Sequence, residues 1–371
     1  MKRVRARGED IRRYIIENIE KYPNDIAKRA ADHFGITRQA VNKHLQRLSA
    51  EKAITQTGKT RSRAYTLCPM KEWVRSYPIA DNLAEDVVWR NDVAPILGDM
   101  PENVKDIWQY GFTEMFNNAI DHSNGSSIIV QIVKTAATTE MMIIDNGVGI
   151  FRKIQAALGL LDERHAVLEL AKGKLTTDPA RHSGEGIFFS SRMFDAFQIL
   201  SGGVFFSHKF GDEKDWIMEV KHGDGTVVRM RLHNHTARTL RKVFDQFSSG
   251  EDYGFNKTVV PVELAQYGDD KLVSRSQAKR LLARVELFKT VVFDFTGVAT
   301  IGQAFADEIF RVFVQQHPNI EVHSVHANSE VKRMIERAKA GLVAEEPPPD
   351  QPSLPGFESP GDQLPPKTGD G

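Results

Sequence analysis

Two apolar runs, IIVQIV at 128–133 and MMIID at 141–145, flank a polar turn and oblige the middle of this chain to build a buried sheet. The second run ends in a carboxylate, Asp145, followed at once by Gly147 and Gly149. A strand that stops in this way lets the backbone approach a flat group lying above its last residue. A helix precedes the pair, from Pro101 to His122, and short strands ending in TVVRMRL come after it. The pattern predicts a mixed α/β unit with its chemistry at one end of the sheet.

Three further pieces carry that chemistry. In FTEMFNNAIDHS, Glu114 and Asn118 stand four residues apart and share a helix face, with Asp121 close to it. An amide carbonyl is a hard oxygen ligand suited to Mg²⁺, and a carboxylate one turn away can orient or deprotonate water. In HSGEGIFF, Gly184 and Gly186 precede an apolar helical run, so their amides and the helix start suit phosphate oxygens. Gly225-Thr226 opens a strand and can bring a hydroxyl towards Asp145.

In their order and spacing these pieces resemble the Bergerat-type ATP-binding fold, an α/β sandwich shared by gyrase, the Hsp90 chaperones, histidine kinases and MutL (the GHKL superfamily), over residues 101–235. The resemblance implies ATP and Mg²⁺ as cofactors. It makes Asn118 the Mg²⁺ ligand, Glu114 the general base and Asp145 the acceptor for the adenine amine. Gly147, Gly149, Gly184 and Gly186 then shape the pocket, and Phe151 to Ser183 forms a lid. Asp121 looks like the gyrase and Hsp90 form of the helix motif, whereas His122 looks like the form in histidine and anti-sigma kinases. An autokinase needs an acceptor histidine just upstream, and Met70 to Met100 contains none. His165, His182 and His208 are expected at the surface or in the lid. Slow ATP hydrolysis is favoured over phosphotransfer to a protein.

Charge divides the chain. Residues 1–67 carry 16 Lys and Arg against 7 Asp and Glu, a net of +9, so the remainder of this neutral sequence carries −9. This basic segment predicts three helices and a hairpin. Ile11, Ile15, Ile16 and Ile19 make one apolar stripe, and a second helix runs from Asn24 to His33. Gly35 turns the chain, Thr37 caps a third helix, and Val41, Leu45 and Leu48 bury it. The arrangement resembles the winged helix-turn-helix of bacterial transcription regulators, with GITRQAVNKHL as turn and recognition helix. Thr37, Arg38, Gln39, Asn42 and Lys43 then face bases and phosphates, and Lys59, Arg61 and Arg63 on the hairpin suit phosphates or the minor groove.

Towards the other end, VVFDFTGVATIGQAFADEIFRVF resembles STAS domains, and more closely the STAS-like domains found after this type of ATPase. STAS anti-sigma antagonists carry a phosphorylated serine at the strand-to-helix turn. Here that turn reads Gly302, Gln303, Ala304, which cannot accept a phosphate, although Thr300 lies nearby. The resemblance implies contact with an ATPase domain, while this turn gives no support for a phosphoserine switch.

The expected organisation is multidomain α/β: a winged helix at 1–68, an ATP-binding domain at 69–238 and a STAS-like domain at 243–341. Within the second, a lead-in at 69–100 shows no periodicity and a core occupies 101–235. A Pro- and Gly-rich tail at 342–371 has the composition of disorder. Cys68 stands alone, which excludes an internal disulfide framework and a multi-cysteine zinc site and fits a reducing cytoplasm. No apolar run reaches the ~20 residues that span a bilayer, so no membrane partner is expected. The expected partners are DNA, a second copy of the chain in a homodimer, and a protein docked on the STAS-like domain.

Overall fold

The structure, a computed structural model, describes residues 2–59, 62–175, 184–211, 216–219, 223–248, 254–266 and 271–343. Arg61, His182, Ser183 and nearly all of the Pro-rich tail lie outside the described residues.

At the basic end, α1 (Lys2–Asn18), α2 (Ile26–Phe34) and α3 (Arg38–Ala50) precede an antiparallel hairpin of β1 (Ile54–Thr57) and β2 (Ala64–Leu67). Gly35 turns the chain between α2 and α3 at φ 61°, and Thr37 Oγ1 accepts the Ala40 N–H at 3.2 Å as the α3 cap. Ile11, Ile15, Ile26, Val41, Leu45, Ile54 and Tyr65 form a core separate from the rest of the chain. Each fully buried aliphatic side chain there is worth roughly 1.5–3 kcal/mol.

A very short tether joins this unit to the large central sheet. The Cys68 N–H still bonds Ala53 of the hairpin unit, and the Met70 N–H already bonds Lys134. The chain then enters β3 (Lys71–Pro78), the edge of a seven-stranded antiparallel sheet ordered β3-β4-β5-β9-β6-β7-β8. Its other strands are β4 (Ser127–Lys134), β5 (Thr138–Asp145), β6 (Ala196–Ser201), β7 (Val204–Lys209), β8 (Trp216–Glu219) and β9 (Thr226–His233). An ion pair from Glu20 on the α1–α2 connection to Arg231 on β9 is a second link between the two units.

The lead-in segment thus supplies the sheet edge together with α4 (Glu85–Val88), a π-helical turn at Trp89–Val93 and α5 (Ala94–Leu97). Trp89 packs on Phe112, with ring centroids 5.7 Å apart, and Tyr77 donates to Asp92 at 2.9 Å. The long α6 (Glu102–His122) lays Val104, Ile107, Trp108, Phe112, Met115 and Phe116 on one face of the sheet. Alternate residues of β4, β5 and β9 meet it, as period-2 burial requires. Gly111 permits this close approach, because a Cβ there would lie 2.4 Å from the Phe194 ring.

Three more helices, α7 (Ile150–Leu158), α8 (Glu163–Lys172) and α9 (Gly186–Met193), connect β5 to β6. Beyond the sheet come α10 (Leu240–Phe247), β10 (Lys257–Pro261), α11 (Arg275–Leu282), β11 (Thr290–Asp294) and α12 (Gln303–Asp307). A π-helical stretch at Glu308–Phe313 leads into α13 (Val314–Gln316), β12 (Glu321–Val325) and α14 (Ser329–Val343). The strands β10-β11-β12 form a parallel sheet, and helices α11 to α14 accompany it. One continuous apolar core runs through both sheets, from Tyr77 to Ala338. No described helix is long and apolar enough to cross a membrane.

Candidate functional site

The end of β5 and the start of β9 are partners in the sheet, with Asp145 opposite Thr226, so two motifs 81 positions apart in sequence meet by strand register. Above them α6 brings Glu114 and Asn118, and the start of α9 brings Gly184 and Gly186. All six residues line a single cavity of about 240 Å³. Its apolar wall includes Ile143, Ile154, Leu170, Leu175, Ile187 and Phe188. A concave, mostly apolar space with a few convergent polar groups is the usual form of a small-molecule site.

Asp145 is buried at the floor. Its Oδ1 accepts the Gly147 N–H at 2.9 Å, and Thr226 contributes further bonds from its backbone and hydroxyl. Burial pushes the carboxyl above its ordinary range, against the opposing pull of those hydrogen bonds. Thr226 Oγ1 also accepts the Ile150 N–H at 3.1 Å, which ties the start of α7 to the same corner.

The glycines divide into two groups. Gly147 and Gly149 shape the turn beneath the cavity without lining it. A Cβ on Gly147 would lie 2.0 Å from the Ser123 carbonyl oxygen, and Gly149 adopts φ +99°. Gly186 sits against the catalytic candidate: a Cβ there would fall 1.9 Å from Glu114 Oε2. Tyr110, one turn before Glu114, is held well above the ordinary phenol range by burial and by the negative charges of Glu114 and Glu185. Glu185 is itself raised by burial, with Lys174 opposing.

Asp121 is exposed near the end of α6 and does not reach the cavity wall. Among the described residues no three His, Cys, Asp or Glu side chains gather as a metal cluster. A metal here would take Asn118 as a protein ligand and draw most of its coordination from phosphate and water, the usual arrangement for Mg²⁺.

Several wall residues escaped the sequence reading. Lys153 on α7 lines the cavity while its Nζ donates to the His122 carbonyl at 2.7 Å, a cation at the C-terminal end of α6. His122 lines the cavity as well. These two meet across 31 positions of sequence; His122 belongs to the helix motif, whereas Lys153 carries no local motif. His165 lies within the 151–183 segment expected as the lid, buried rather than at the surface, and its burial lowers its pKa. The reason is that α8 is packed on all sides: every residue from His165 to Lys172 is buried. His208 is half-buried on β7.

On the basic unit, Arg38, Gln39 and Lys43 are exposed on α3 and Asn42 is half-buried, opposite the buried Val41, Leu45 and Leu48. Thr37, Lys59 and Arg63 are exposed as well. His44, on the same helix, is held below its ordinary pKa by burial and by the positive charges of Arg12 and Arg47.

Residues 277–332 match the family described as STAS-like domain of unknown function (DUF4325). The match runs from α11 into α14 and includes the turn at Gly302, Gln303 and Ala304. The C-terminal region is therefore STAS-like. No curated protein matches the chain.

Proposed function

We propose that this chain is an ATP-binding, DNA-binding transcriptional regulator in which Mg-ATP binding, or its slow hydrolysis, changes how the winged helix and the STAS-like region are disposed. The observation that carries the reading is the convergence of Glu114, Asn118, Asp145, Gly184, Gly186 and Thr226, from four separated segments, on one cavity. In this reading Asp145 accepts the exocyclic amine of adenine, with Thr226 beside it. Asn118 holds Mg²⁺ against the phosphates, and the amides at the start of α9 receive phosphate oxygens. Glu114 orients and deprotonates the attacking water.

Incubation with γ-labelled ATP and Mg²⁺ is expected to yield free phosphate and unlabelled protein. Stable label on this chain or on a co-purifying partner would show instead a protein kinase of histidine or anti-sigma serine type acting on a separate partner. Asn118→Ala is expected to weaken nucleotide binding in Mg²⁺ and to change it little in EDTA, as read by calorimetric titration.

The exposed polar face of α3 and the basic hairpin support DNA as the macromolecular partner. Each phosphate neutralised lowers the slope of log K against log salt by about 0.9. Affinity for a duplex is expected to fall steeply between about 50 and 200 mM salt, and a Lys43→Ala, Arg63→Ala variant should bind more weakly with a shallower slope. An affinity independent of salt would assign this unit to protein contacts.

A further inference from the structure

One wall of the candidate nucleotide cavity is held from outside by the STAS-like region. Leu170 and Leu175 line the cavity, and between and beside them Glu169, Lys172 and Lys174 turn to the opposite side. Lys172 is fully buried. Its Nζ donates to Glu169 Oε1 at 2.7 Å and to the carbonyls of Arg280 and Ala283, at 3.0 and 2.8 Å, at the C-terminal end of α11. Arg284, in the left-handed region at φ +64°, completes the cluster. One of its guanidinium nitrogens donates to Glu169 Oε2 at 3.1 Å and the other to the Lys174 carbonyl. Thr258 Oγ1 on β10 donates to the Lys172 carbonyl at 2.6 Å.

A second, apolar connection reaches the same wall. Phe188, a cavity residue on α9, packs on Phe255 with ring centroids 4.5 Å apart, and Phe255 packs on Phe288 at 5.1 Å. Lys174 closes over Phe288 at 4.8 Å and donates to the Leu287 carbonyl at 2.9 Å. Cavity residues on both α8 and α9 are thus backed by groups that belong to, or lead into, the STAS-like region.

We infer that the STAS-like region is a working part of the nucleotide site and sets its affinity, with Arg284 as the positioning residue that fixes the Leu170–Leu175 wall. The inference rests on the nucleotide reading above. Glu169 is buried and bonded by both Lys172 and Arg284, so losing Arg284 leaves it neutralised by Lys172 while freeing the Lys174 carbonyl. The wall loosens without an orphaned charge. By linkage, if the α11 contacts favour the nucleotide-bound wall, nucleotide binding must favour those contacts by the same coupling free energy.

The test uses the full chain with Arg284→Ala, and with Arg275→Ala as a control. Arg275, two residues before the family match, pairs with Asp307 and Glu308 within it. Mg-ATP dissociation constants are measured by calorimetry, and amide hydrogen exchange is followed with and without Mg-ATP. Arg284→Ala is expected to weaken Mg-ATP by roughly 5–50-fold, while Arg275→Ala stays within about twofold. Mg-ATP should slow exchange in α11 of the wild-type protein, and that effect should be lost in Arg284→Ala, a result that a purely structural role would not give. Arg284→Lys keeps the charge beside Glu169 but cannot reach both acceptors. It should fall between the two, and it decides the matter should the alanine variant not fold. Wild-type binding with equal affinity in the folded Arg284 variants overturns this inference alone. Absence of Mg-ATP binding by the wild-type protein overturns the nucleotide reading together with it.

Discussion

Glu114→Ala is expected to leave Mg-ATP affinity within about threefold of wild type while the rate of phosphate release at saturating ATP falls by roughly 10²–10⁴-fold. The carboxylate stands one helical turn from Asn118 and lines the same cavity. It also lies so close to the start of α9 that a Cβ at position 186 would come 1.9 Å from Glu114 Oε2 and force the carboxylate to move. Gly186→Ala should therefore reproduce much of the Glu114→Ala defect by pushing the carboxylate off its position. Steady-state phosphate release by the purified variants checks both. Normal turnover in Glu114→Ala would remove this residue from the role of base.

Asp145→Asn is expected to do the reverse of an ordinary core substitution, raising the unfolding temperature while lowering ATP affinity by roughly 10–100-fold. The stability half rests on the pKa. Burial raises the folded-state carboxyl above its unfolded value. The group's contribution to stability is then complete below the unfolded pKa and is lost as pH rises through the folded one. At neutral pH the fold bears the cost of that raised carboxyl pKa, and an amide, which does not titrate, removes it. The gain in Tm should shrink as pH falls towards the carboxyl range. The binding half rests on the hydrogen bonds. The oxygen of the substituted amide could still accept the Gly147 N–H, but its NH₂ would then face the adenine amine, donor against donor. Thermal unfolding at pH 4 to 8 with parallel ATP titrations separates the two effects. A variant that binds ATP as wild type does would remove Asp145 from base recognition.

Asp145 is an example of what the sequence could show. Its carboxylate, the glycines after it and the Glu114–Asn118 pair were legible because each is a local motif at the end of a regular element. The three helices and hairpin of the basic end were legible for the same reason, through the Gly35 turn, the Thr37 cap and the isoleucine stripe. What stayed hidden depends on contacts between distant segments. Strand β3 pairs along one side only and leaves most of its residues exposed, so no apolar alternation marks it. Strand β10 is a short run that becomes a strand by lying parallel to β11. Helix α8 carries Glu169 and Lys172, which no local motif singles out, yet both are buried because the STAS-like region supplies partners for them. Lys153 enters the cavity wall only because α7 folds back on the end of α6.

In the proposed reading, the short tether from β2 to β3, with the Glu20–Arg231 ion pair beside it, would couple the candidate nucleotide site to the basic N-terminal unit, since β9 carries both Thr226 and Arg231. The most direct measurement is the affinity of the full chain for a duplex selected from a randomised pool, by fluorescence anisotropy, with and without Mg-ATP. Wild-type protein should bind the duplex, its affinity should change by at least about fivefold on adding Mg-ATP, and Asp145→Asn should bind DNA without responding to the nucleotide. Equal affinity in both conditions, or no DNA binding in either, would contradict the account.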